Sequence, residues 1–215
     1  TLYFHLMHTD PNRPDWPERD RLILSKGHAC PIVYSALARL GFLPTESLGT
    51  LRCLHSTLQG HPDMNKTPGI DMTTGSLGNG ISIGLGMALA GRYTGRDYAV
   101  YVITGDGELE EGIIWEAAMA AKRYRAGNLV VLVDNNNWQS GGELDEISGL
   151  RPILPKFEAF GWHCQEIDGH DVSAIVEAVE RAKATQYQPS VIVAHTLKGK
   201  GVPFMENDNS WHKRV

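Results

Sequence analysis

The sequence contains little cysteine, no long apolar run and no excess of positive charge, and each absence argues against a class of protein. The three cysteines, Cys30, Cys53 and Cys164, include no CxxC pair, so we expect neither a disulfide framework nor a zinc site. This cysteine usage predicts a reducing, cytoplasmic location. No run of about 18 apolar residues occurs, so we expect no membrane-spanning helix. The net charge of −5 argues against a nucleic-acid-binding protein, which usually has a basic face.

The composition is that of a globular protein with a sizeable core, since 42% of the 215 residues are hydrophobic. Neither a low-complexity linker nor an internal repeat divides the chain, and we therefore predict a single domain over residues 1–215. The opening residues, TLYFHLMHTDP, are typical of the last turns of a helix. We accordingly expect an N-terminal segment before Thr1 in the complete protein.

Strand and helix patterns alternate along most of the chain. Short runs rich in β-branched residues predict strands at residues 98–103, 129–133, 164–167 and 190–194. Helices are predicted at residues 31–40, 76–93, 112–125, 157–160 and 172–184. The alternation predicts an α/β fold, in which a parallel β-sheet carries helices on both faces.

Polar residues follow two of the predicted strands, at the place where open α/β sheets bind ligands. Gly105, Asp106 and Gly107 come after the first strand, and an asparagine run containing Asn136 follows the second. Asp106 and the side-chain carbonyl of Asn136 are hard oxygen ligands that suit octahedral Mg²⁺ together with a backbone carbonyl and two diphosphate oxygens. The glycines allow close approach of a ligand, and the helix behind them offers N–H groups to phosphate. Taken one at a time, the two segments are also consistent with a tight turn and a polar loop.

The spacing between the two segments favours ligand binding. Residues 108–134 number 27 and separate Gly107 from Asn135. They accommodate one helix and one strand, so the two loops must be neighbours. The pattern GDG-x27-NN is that of enzymes that use thiamine diphosphate. It predicts thiamine diphosphate as cofactor, bound with Mg²⁺ or with Ca²⁺ or Mn²⁺ in its place.

Longer motifs narrow the family. They are LSKGHACPIVYSALARLGFL (24–43), GHPDMNKTPGIDMTTGSLGNGISIGLGMALA (60–90), GDGELEEGIIWEA (105–117) and KGKGVPFMENDNSWHKR (198–214). From about Arg19 to the C-terminus, the chain resembles the N-terminal section of transketolases. Pyruvate decarboxylases and 2-oxo-acid dehydrogenases share the GDG and NN segments but not the series SKGHA, GHP and TTGSLG. The resemblance implies the thiamine-diphosphate-binding fold of a transketolase.

The resemblance also implies roles for individual residues. His28 and His212 match histidines that contact the diphosphate, and His61 matches the histidine beside the reacting oxygen of the substrate. These three are the expected catalytic residues. The expected cofactor-binding residues are His28, Gly75, Leu77, Gly105, Asp106, Gly107, Glu111, Glu116, Asn136 and His212. The expected metal ligands are Asp106, Asn136 and Trp138, the last through its backbone carbonyl.

The expected contacts differ among these residues, and some of the residues also have a purely structural explanation. Gly75 and Leu77 would supply backbone contacts near the aminopyrimidine, and Glu111 and Glu116 match acidic residues at a subunit contact. Glu108, Glu110 and Glu111 are also consistent with a favourable acidic first turn of a helix. The remaining histidines are interpreted as ordinary structural residues, although His195 is ambiguous because it ends a strand.

Two features depart from the family pattern. An SGHPGG-like segment usually precedes the helix that ends in TLYFHL, and it would lie before Thr1. Lys198 and Ser140 stand where many relatives carry apolar residues near the thiazolium ring. The second departure predicts different packing around the cofactor, or completion of the site by another chain.

Finally, the resemblance implies a second polypeptide. In transketolases the glutamate that activates the aminopyrimidine lies in a pyrimidine-binding domain, which a C-terminal domain follows. We expect both domains on a partner subunit, in an assembly with two copies of each chain. The implied reaction moves a two-carbon ketol unit between sugar phosphates. The alternatives are another thiamine-diphosphate enzyme, such as a deoxyxylulose-phosphate synthase or a 2-oxo-acid dehydrogenase, and a cofactor-binding scaffold without catalysis.

Overall fold

Short apolar runs form the strands of this protein, whose computed structural model describes residues 1–212. The strands in chain order are β1 (Arg21–Leu24), β2 (Val100–Gly105), β3 (Leu129–Asn135), β4 (Trp138–Gln139), β5 (Gly142–Glu143), β6 (His163–Asp168) and β7 (Ser190–His195). Within residues 1–212, five of them make one parallel sheet in the order β1-β2-β3-β7-β6. Strands β4 and β5 pair as a separate antiparallel ribbon.

Helices connect and cover the strands. In chain order they are α1 (Cys30–Leu40), α2 (Asn79–Tyr93), α3 (Gly112–Arg123), α4 (Leu144–Ile147), α5 (Leu154–Ala159) and α6 (Val172–Ala184). Helix α6 begins after Asp171, whose carboxylate accepts hydrogen bonds from the amides of Ser173 and Ala174. None of the helices in the described part of the chain is long and apolar enough to cross a membrane.

Both faces of the sheet are buried, which explains why its central strands are almost continuous apolar runs. One face presents Val102 and Val131 to a core that α2, α3 and α5 complete. The other face presents Tyr101 and Leu132 to α6 and to the N-terminal helical turn Leu2–Leu6. The predicted α/β fold, a parallel sheet with helices on both faces, is therefore confirmed.

Some elements differ from the sequence prediction. Strand β1 and the β4–β5 ribbon lie outside the predicted strands, because β1 has only four residues and each ribbon strand has two. The helix predicted from residue 76 begins at Asn79, since Gly75 and Gly78 have φ values of +143° and +83° that a helix does not allow. A 3₁₀ turn, Gly107–Glu110, separates the GDG segment from α3. The first N–H groups after Asp106 therefore belong to this turn and not to α3.

The register of the sheet places the two predicted ligand segments side by side. Gly105 at the end of β2 pairs with Asp134, and Asn135 at the end of β3 pairs with His195 of β7. Parallel strands end at the same edge of a sheet, so Asp106 and Asn136 leave the sheet as neighbours. This edge holds the site.

Candidate cofactor site

Asp106 follows β2 directly and is only 1% exposed. Its Oδ1 accepts a hydrogen bond from the amide of Gly107 (2.9 Å), and its Oδ2 accepts one from the amide of Asn137 (2.6 Å). Burial raises the pKa of this carboxyl above its ordinary value, although the two amides oppose the shift. The carboxylate is thus held in one orientation by the backbone of both loops.

Asn136 and Trp138 follow β3 at the same edge. The Oδ1 of Asn136 accepts a hydrogen bond from the amide of Trp138 (2.9 Å), and Asn137 between them has a φ of +66°. The indole Nε1 of Trp138 donates to Asn207 Oδ1 (2.8 Å), so the C-terminal segment holds this side chain. We call Asp106, Asn136 and Trp138 the oxygen side of the site.

The chemistry of this oxygen set fits a hard cation. Within residues 1–212, no group of three His, Cys, Asp or Glu side chains could hold a metal without other ligands. A metal here would depend on one carboxylate, one amide oxygen and a backbone carbonyl, which leaves positions for ligand oxygens. The backbone around Gly107 is also close-packed, because a Cβ at this position would lie 2.8 Å from the Cβ of Gln139.

A partly buried ion pair lies beside the oxygen side. The ammonium of Lys26 donates to the carboxylate of Asp134, and the hydroxyl of Thr196 donates to the other oxygen of that carboxylate. Burial acts to raise the pKa of Asp134, but the charge of Lys26 and these hydrogen bonds outweigh it and leave the pKa below its ordinary value. Asp134 therefore holds Lys26 at the end of β3.

His28 and His212, from distant parts of the chain, lie together with ring centroids 5.2 Å apart. The Nζ of Lys198 is 2.8 Å from the Nδ1 of His212. Partial desolvation, followed by the nearby positive charges of His212 and Lys26, lowers the pKa of His28 to about 4. Burial and the charge of Lys26 also lower the pKa of Lys198. His28 is therefore neutral near pH 7.

His61 lies against the TTGSLG segment. A Cβ at Gly75 would be 3.2 Å from the His61 ring, and one at Gly27 would be 2.7 Å from the Oγ1 of Thr74. The SKGHA, GHP and TTGSLG segments therefore approach one another through glycine. His61 is also among the positive groups that lower the pKa of His28. The structure thus brings the three predicted histidines to one place.

These histidines and two lysines form a second half of the site. We call this group the basic side; its members are Lys26, His28, His61, Lys198 and His212. Lys198, at a position where the resemblance led us to expect an apolar residue, contacts His212 and contributes a positive charge to the basic side.

Glu108 is a buried carboxylate that joins three of the motifs, with 4% of the residue exposed. Its Oε1 accepts hydrogen bonds from the hydroxyl of Ser25 and the amide of Gly78 (2.7 Å). Its Oε2 accepts one from the amide of Gly105 (3.2 Å). These donors belong to the SKGHA, TTGSLG and GDG segments. An acidic helical turn does not account for Glu108, because its side chain points inward and links these loops.

Besides His28 and His61, three predicted residues are exposed, namely Leu77, Glu111 and Glu116. A Cβ at Gly78 would be 2.6 Å from the Cβ of Glu111, so Glu111 stands against the TTGSLG segment. Leu77 is 36% exposed in the same segment, and Glu116 is exposed on α3. The structure therefore places Glu111 against the TTGSLG segment and leaves Glu116 on the exposed face of α3.

Besides Lys198, four residues of the site lie outside the set expected from the sequence: Lys26, Glu108, Asp134 and Thr196. Lys26 stands inside the SKGHA motif and Asp134 directly precedes the asparagine run, so their positions carried a signal. Glu108 directly follows the GDG segment and Thr196 follows the last predicted strand, but only the packed structure shows where their side chains point.

An oxygen set beside lysine and histidine side chains, at the carboxyl ends of parallel strands, suits a diphosphate held through a divalent cation. The fold and site therefore define a class: an α/β protein that binds a cofactor bearing a diphosphate.

Comparison with known families specifies this class. The profile of the family "Transketolase, thiamine diphosphate binding domain" matches residues 1–214, of which residues 213 and 214 lie outside the described structure. The chain belongs to the transketolase family and comprises its thiamine-diphosphate-binding domain. The family expected from the sequence is confirmed, and the alternatives, another thiamine-diphosphate enzyme or a scaffold, find no support in the comparisons.

Curated relatives include proteins named as separate subunits. The chain is 51% identical to the "6-deoxy-6-sulfo-D-fructose transketolase subunit SqwG" of Clostridium sp. (strain MSTE9), over 98% of this chain and 77% of the relative. It is 40% identical to one subunit of the apulose-4-phosphate transketolase of Phocaeicola vulgatus, over 100% of this chain and 76% of the relative.

Solved transketolases share the fold. The structure superposes on the transketolase of Campylobacter jejuni with a TM-score of 0.91 at 34% identity, over 97% of this chain and 34% of that one. For the transketolase of Leishmania mexicana the TM-score is 0.87 at 33% identity, over 93% of this chain and 32% of that one. The chain therefore spans about a third of these solved proteins.

Proposed function

We propose that this chain is the diphosphate- and Mg²⁺-binding subunit of a transketolase that moves a two-carbon ketol unit from a ketose to an aldose. The meeting of the oxygen side with the basic side at the ends of β2 and β3 carries this proposal. The two sides offer oxygen ligands to a cation and positive side chains to a diphosphate. Relatives that are named as transketolase subunits support the same function.

The proposed metal ligands are the carboxylate of Asp106, the side-chain oxygen of Asn136 and the backbone carbonyl of Trp138. Mg²⁺ requires oxygen ligands in octahedral geometry, and diphosphate oxygens and a water would complete the set. The Oδ1 of Asn136 accepts one hydrogen bond and keeps a second lone pair. Ca²⁺ or Mn²⁺ would be accepted in place of Mg²⁺, because carboxylate, carbonyl and water ligands suit all three ions.

The proposed diphosphate contacts come from Lys26, His28, Lys198 and His212. Positive groups crowd together here, and the lowered pKa values of His28 and Lys198 reflect this crowding in part. A bound anion would relieve the repulsion and would turn the same charges into attractive contacts. Gly105 and Gly107 carry no side chain, so the backbone at these positions would approach the anion closely.

Thiamine diphosphate, when bound, supplies a nucleophilic ring carbon and its own basic amino group. We propose that His61 holds or moves a proton at the reacting oxygen of the substrate, assisted by His28 and His212. The backbone at Gly75 and Leu77 would contact the aminopyrimidine, and the contact between Gly75 and the His61 ring supports this placement.

We also propose a partner subunit that carries the pyrimidine-binding and C-terminal domains, in an assembly with two copies of each chain. The two relatives that are named as transketolase subunits support a divided enzyme. Glu111 and Glu116 are exposed, and we place them at the contact with this partner. Residues 1–215 then form one domain of the complete enzyme.

The proposed substrates are ketoses and aldoses that carry an anionic group far from the reacting carbons. The named relatives act on a sulfonated ketose and on a phosphorylated one. A cytoplasmic location is proposed as well, supported by the free thiols of Cys30, Cys53 and Cys164.

Reconstitution tests this function. The full-length chain, its partner subunit, Mg²⁺ and thiamine diphosphate are mixed with 6-deoxy-6-sulfofructose or xylulose 5-phosphate and an aldose acceptor. We expect ketol transfer only when both chains are present. Transfer by this chain alone would contradict the divided enzyme, and turnover of 2-oxo acids without ketol transfer would contradict the reaction class.

A further inference from the structure

His195 ends β7 and has no part in the proposed cofactor contacts. Its Nε2 is 2.5 Å from Glu166 Oε1, and its Nδ1 is 3.1 Å from the Nδ2 of Asn135. The amide Nδ2 can only donate, so Nδ1 is the acceptor and Nε2 carries the proton that Glu166 accepts. The ring is therefore held in one tautomer by partners on two strands.

Asn135, at the other end of this contact, is 6% exposed. Its Nδ2 donates to His195, and its Oδ1 accepts a hydrogen bond from Arg151 Nη2 (3.1 Å). Arg151 in turn pairs with Asp145, with 3.5 Å between Nε and Oδ1. Both ends of the buried amide are thus occupied, which determines its orientation.

Asn135 directly precedes Asn136, the proposed metal ligand. Its backbone carbonyl accepts a hydrogen bond from the amide of Thr196 (3.2 Å), at the point where the chain leaves the sheet. A change in the side-chain contacts of Asn135 would therefore shift the start of the loop that presents Asn136. Groups that hydrogen-bond directly to a metal ligand change metal affinity by roughly 10–100-fold when they are removed. A group that contacts Asn135 acts one residue further out, so its effect should lie at the lower end of that range.

We propose that His195, oriented by Glu166, is a positioning residue for the metal site, because it holds Asn135 so that Asn136 is presented at the sheet edge. The inference rests on the proposed function, since it requires Asn136 to bind the metal. Packing does not explain the contact. The His195 side chain is 52% exposed and lines an open cleft of about 460 Å³. Its removal should leave the hydrophobic core unchanged.

Binding of Mn²⁺ to the full-length chain tests this role. Electron paramagnetic resonance measures the free Mn²⁺ in the presence of thiamine diphosphate. The measurement is made once with the partner subunit and once without it. His195→Leu removes the acceptor and is expected to raise the Mn²⁺ dissociation constant about tenfold. Asn135 and His195 line the same open cleft, so water can replace the lost acceptor and the melting temperature of the metal-free chain should change little. His195→Asn keeps an acceptor near the position of Nδ1 and should restore most of the affinity. His163→Asn, at the opposite end of β6, is the matched control and should bind as the wild type does.

Asp106→Asn separates the two levels of the proposal. If the wild type binds no Mn²⁺, or if Asp106→Asn binds it equally well, the proposed function is wrong. If Asp106→Asn abolishes binding while His195→Leu binds like the wild type, the function stands and the positioning role of His195 is wrong. A similar loss in His195→Leu and His195→Asn, together with a lower melting temperature, would also overturn it, because it would indicate a general structural effect.

Discussion

The oxygen side and the basic side of this site are built in different ways. Asp106 is 1% exposed, and its orientation comes from backbone amides of two adjacent loops. His28 and His61 are exposed, and the contacts on their side involve side chains from segments far apart in sequence. The sheet edge therefore determines the first side, whereas the second depends on how distant loops pack.

This difference indicates which half of the site is already formed before a ligand binds. Charges on the oxygen side already have hydrogen-bond donors. On the basic side, burial and then repulsion between like charges lower the pKa values of His28 and Lys198. A bound anion would relieve the repulsion between the positive groups of the basic side. We therefore expect these side chains to take their final positions only when a ligand binds. Substitutions should accordingly have sharp effects on the oxygen side and graded effects on the basic side.

The largest effect is expected from Asp106→Asn on the oxygen side. Loss of the carboxylate charge should raise the Mg²⁺ dissociation constant by at least about 100-fold, beyond the range for partners one step removed. Isothermal titration with Mg²⁺ in the presence of thiamine diphosphate measures this. Because burial already disfavours the charged form of Asp106, the metal-free variant should remain folded. Unfolding of the metal-free variant would contradict a preformed oxygen side.

A smaller effect is expected from Glu108→Ala, which removes the link between the two sides. The donors from Ser25, Gly78 and Gly105 would lose their acceptor, and buried donors without partners cost about 1–3 kcal/mol. The free energy of unfolding in urea should fall by about 3 kcal/mol, taken at the upper end of that range. Glu116→Ala on the exposed face of α3 is the control and should change it by less than about 0.5 kcal/mol.

The ligand affinities of Glu108→Ala also test whether Glu108 supports both the oxygen side and the basic side. Ser25 precedes Lys26 and Gly105 precedes Asp106, so loss of Glu108 should weaken binding of both pyrophosphate and Mg²⁺. Isothermal titration with each ligand measures the two affinities. A loss confined to one ligand would show that Glu108 supports one side alone.

The smallest effect concerns the pH dependence that His28 adds on the basic side. Its pKa in the folded chain is about 4, below the ordinary value of 6.5. Between these two values the unfolded chain binds a proton that the folded chain does not, so this contribution to stability rises with pH and is complete above pH 6.5. His28→Asn should therefore flatten the increase in unfolding free energy between pH 5 and pH 7, measured by urea unfolding.

Nuclear magnetic resonance can follow the same histidine directly. The pKa of His28 should be near 4 in the free chain and should rise when pyrophosphate is added, because an anion stabilises the imidazolium. A pKa near 6.5 in the free chain would contradict the crowded basic side, and no response to pyrophosphate would place the anion elsewhere.

Much of the fold and of the oxygen side could be predicted from the sequence. The strand patterns and the 27 residues between Gly107 and Asn135 are local properties, and parallel strands must end at one edge. Strand β1 could not be predicted in this way, because four residues in a charged stretch form a strand only by pairing with β2. The motifs also identified the three histidines that the structure brings together.

The sequence by itself therefore determined the family, the α/β sheet and the position of Asp106 beside Asn136, since each depends on short-range pattern or fixed spacing. Only the tertiary structure decided which side chains link the loops. Glu108 meets Ser25 across 83 positions and Lys26 meets Asp134 across 108, while His195 meets Asn135 across 60. The physical reason is that such contacts depend on the direction of each side chain after packing, and local propensity carries no information about that direction.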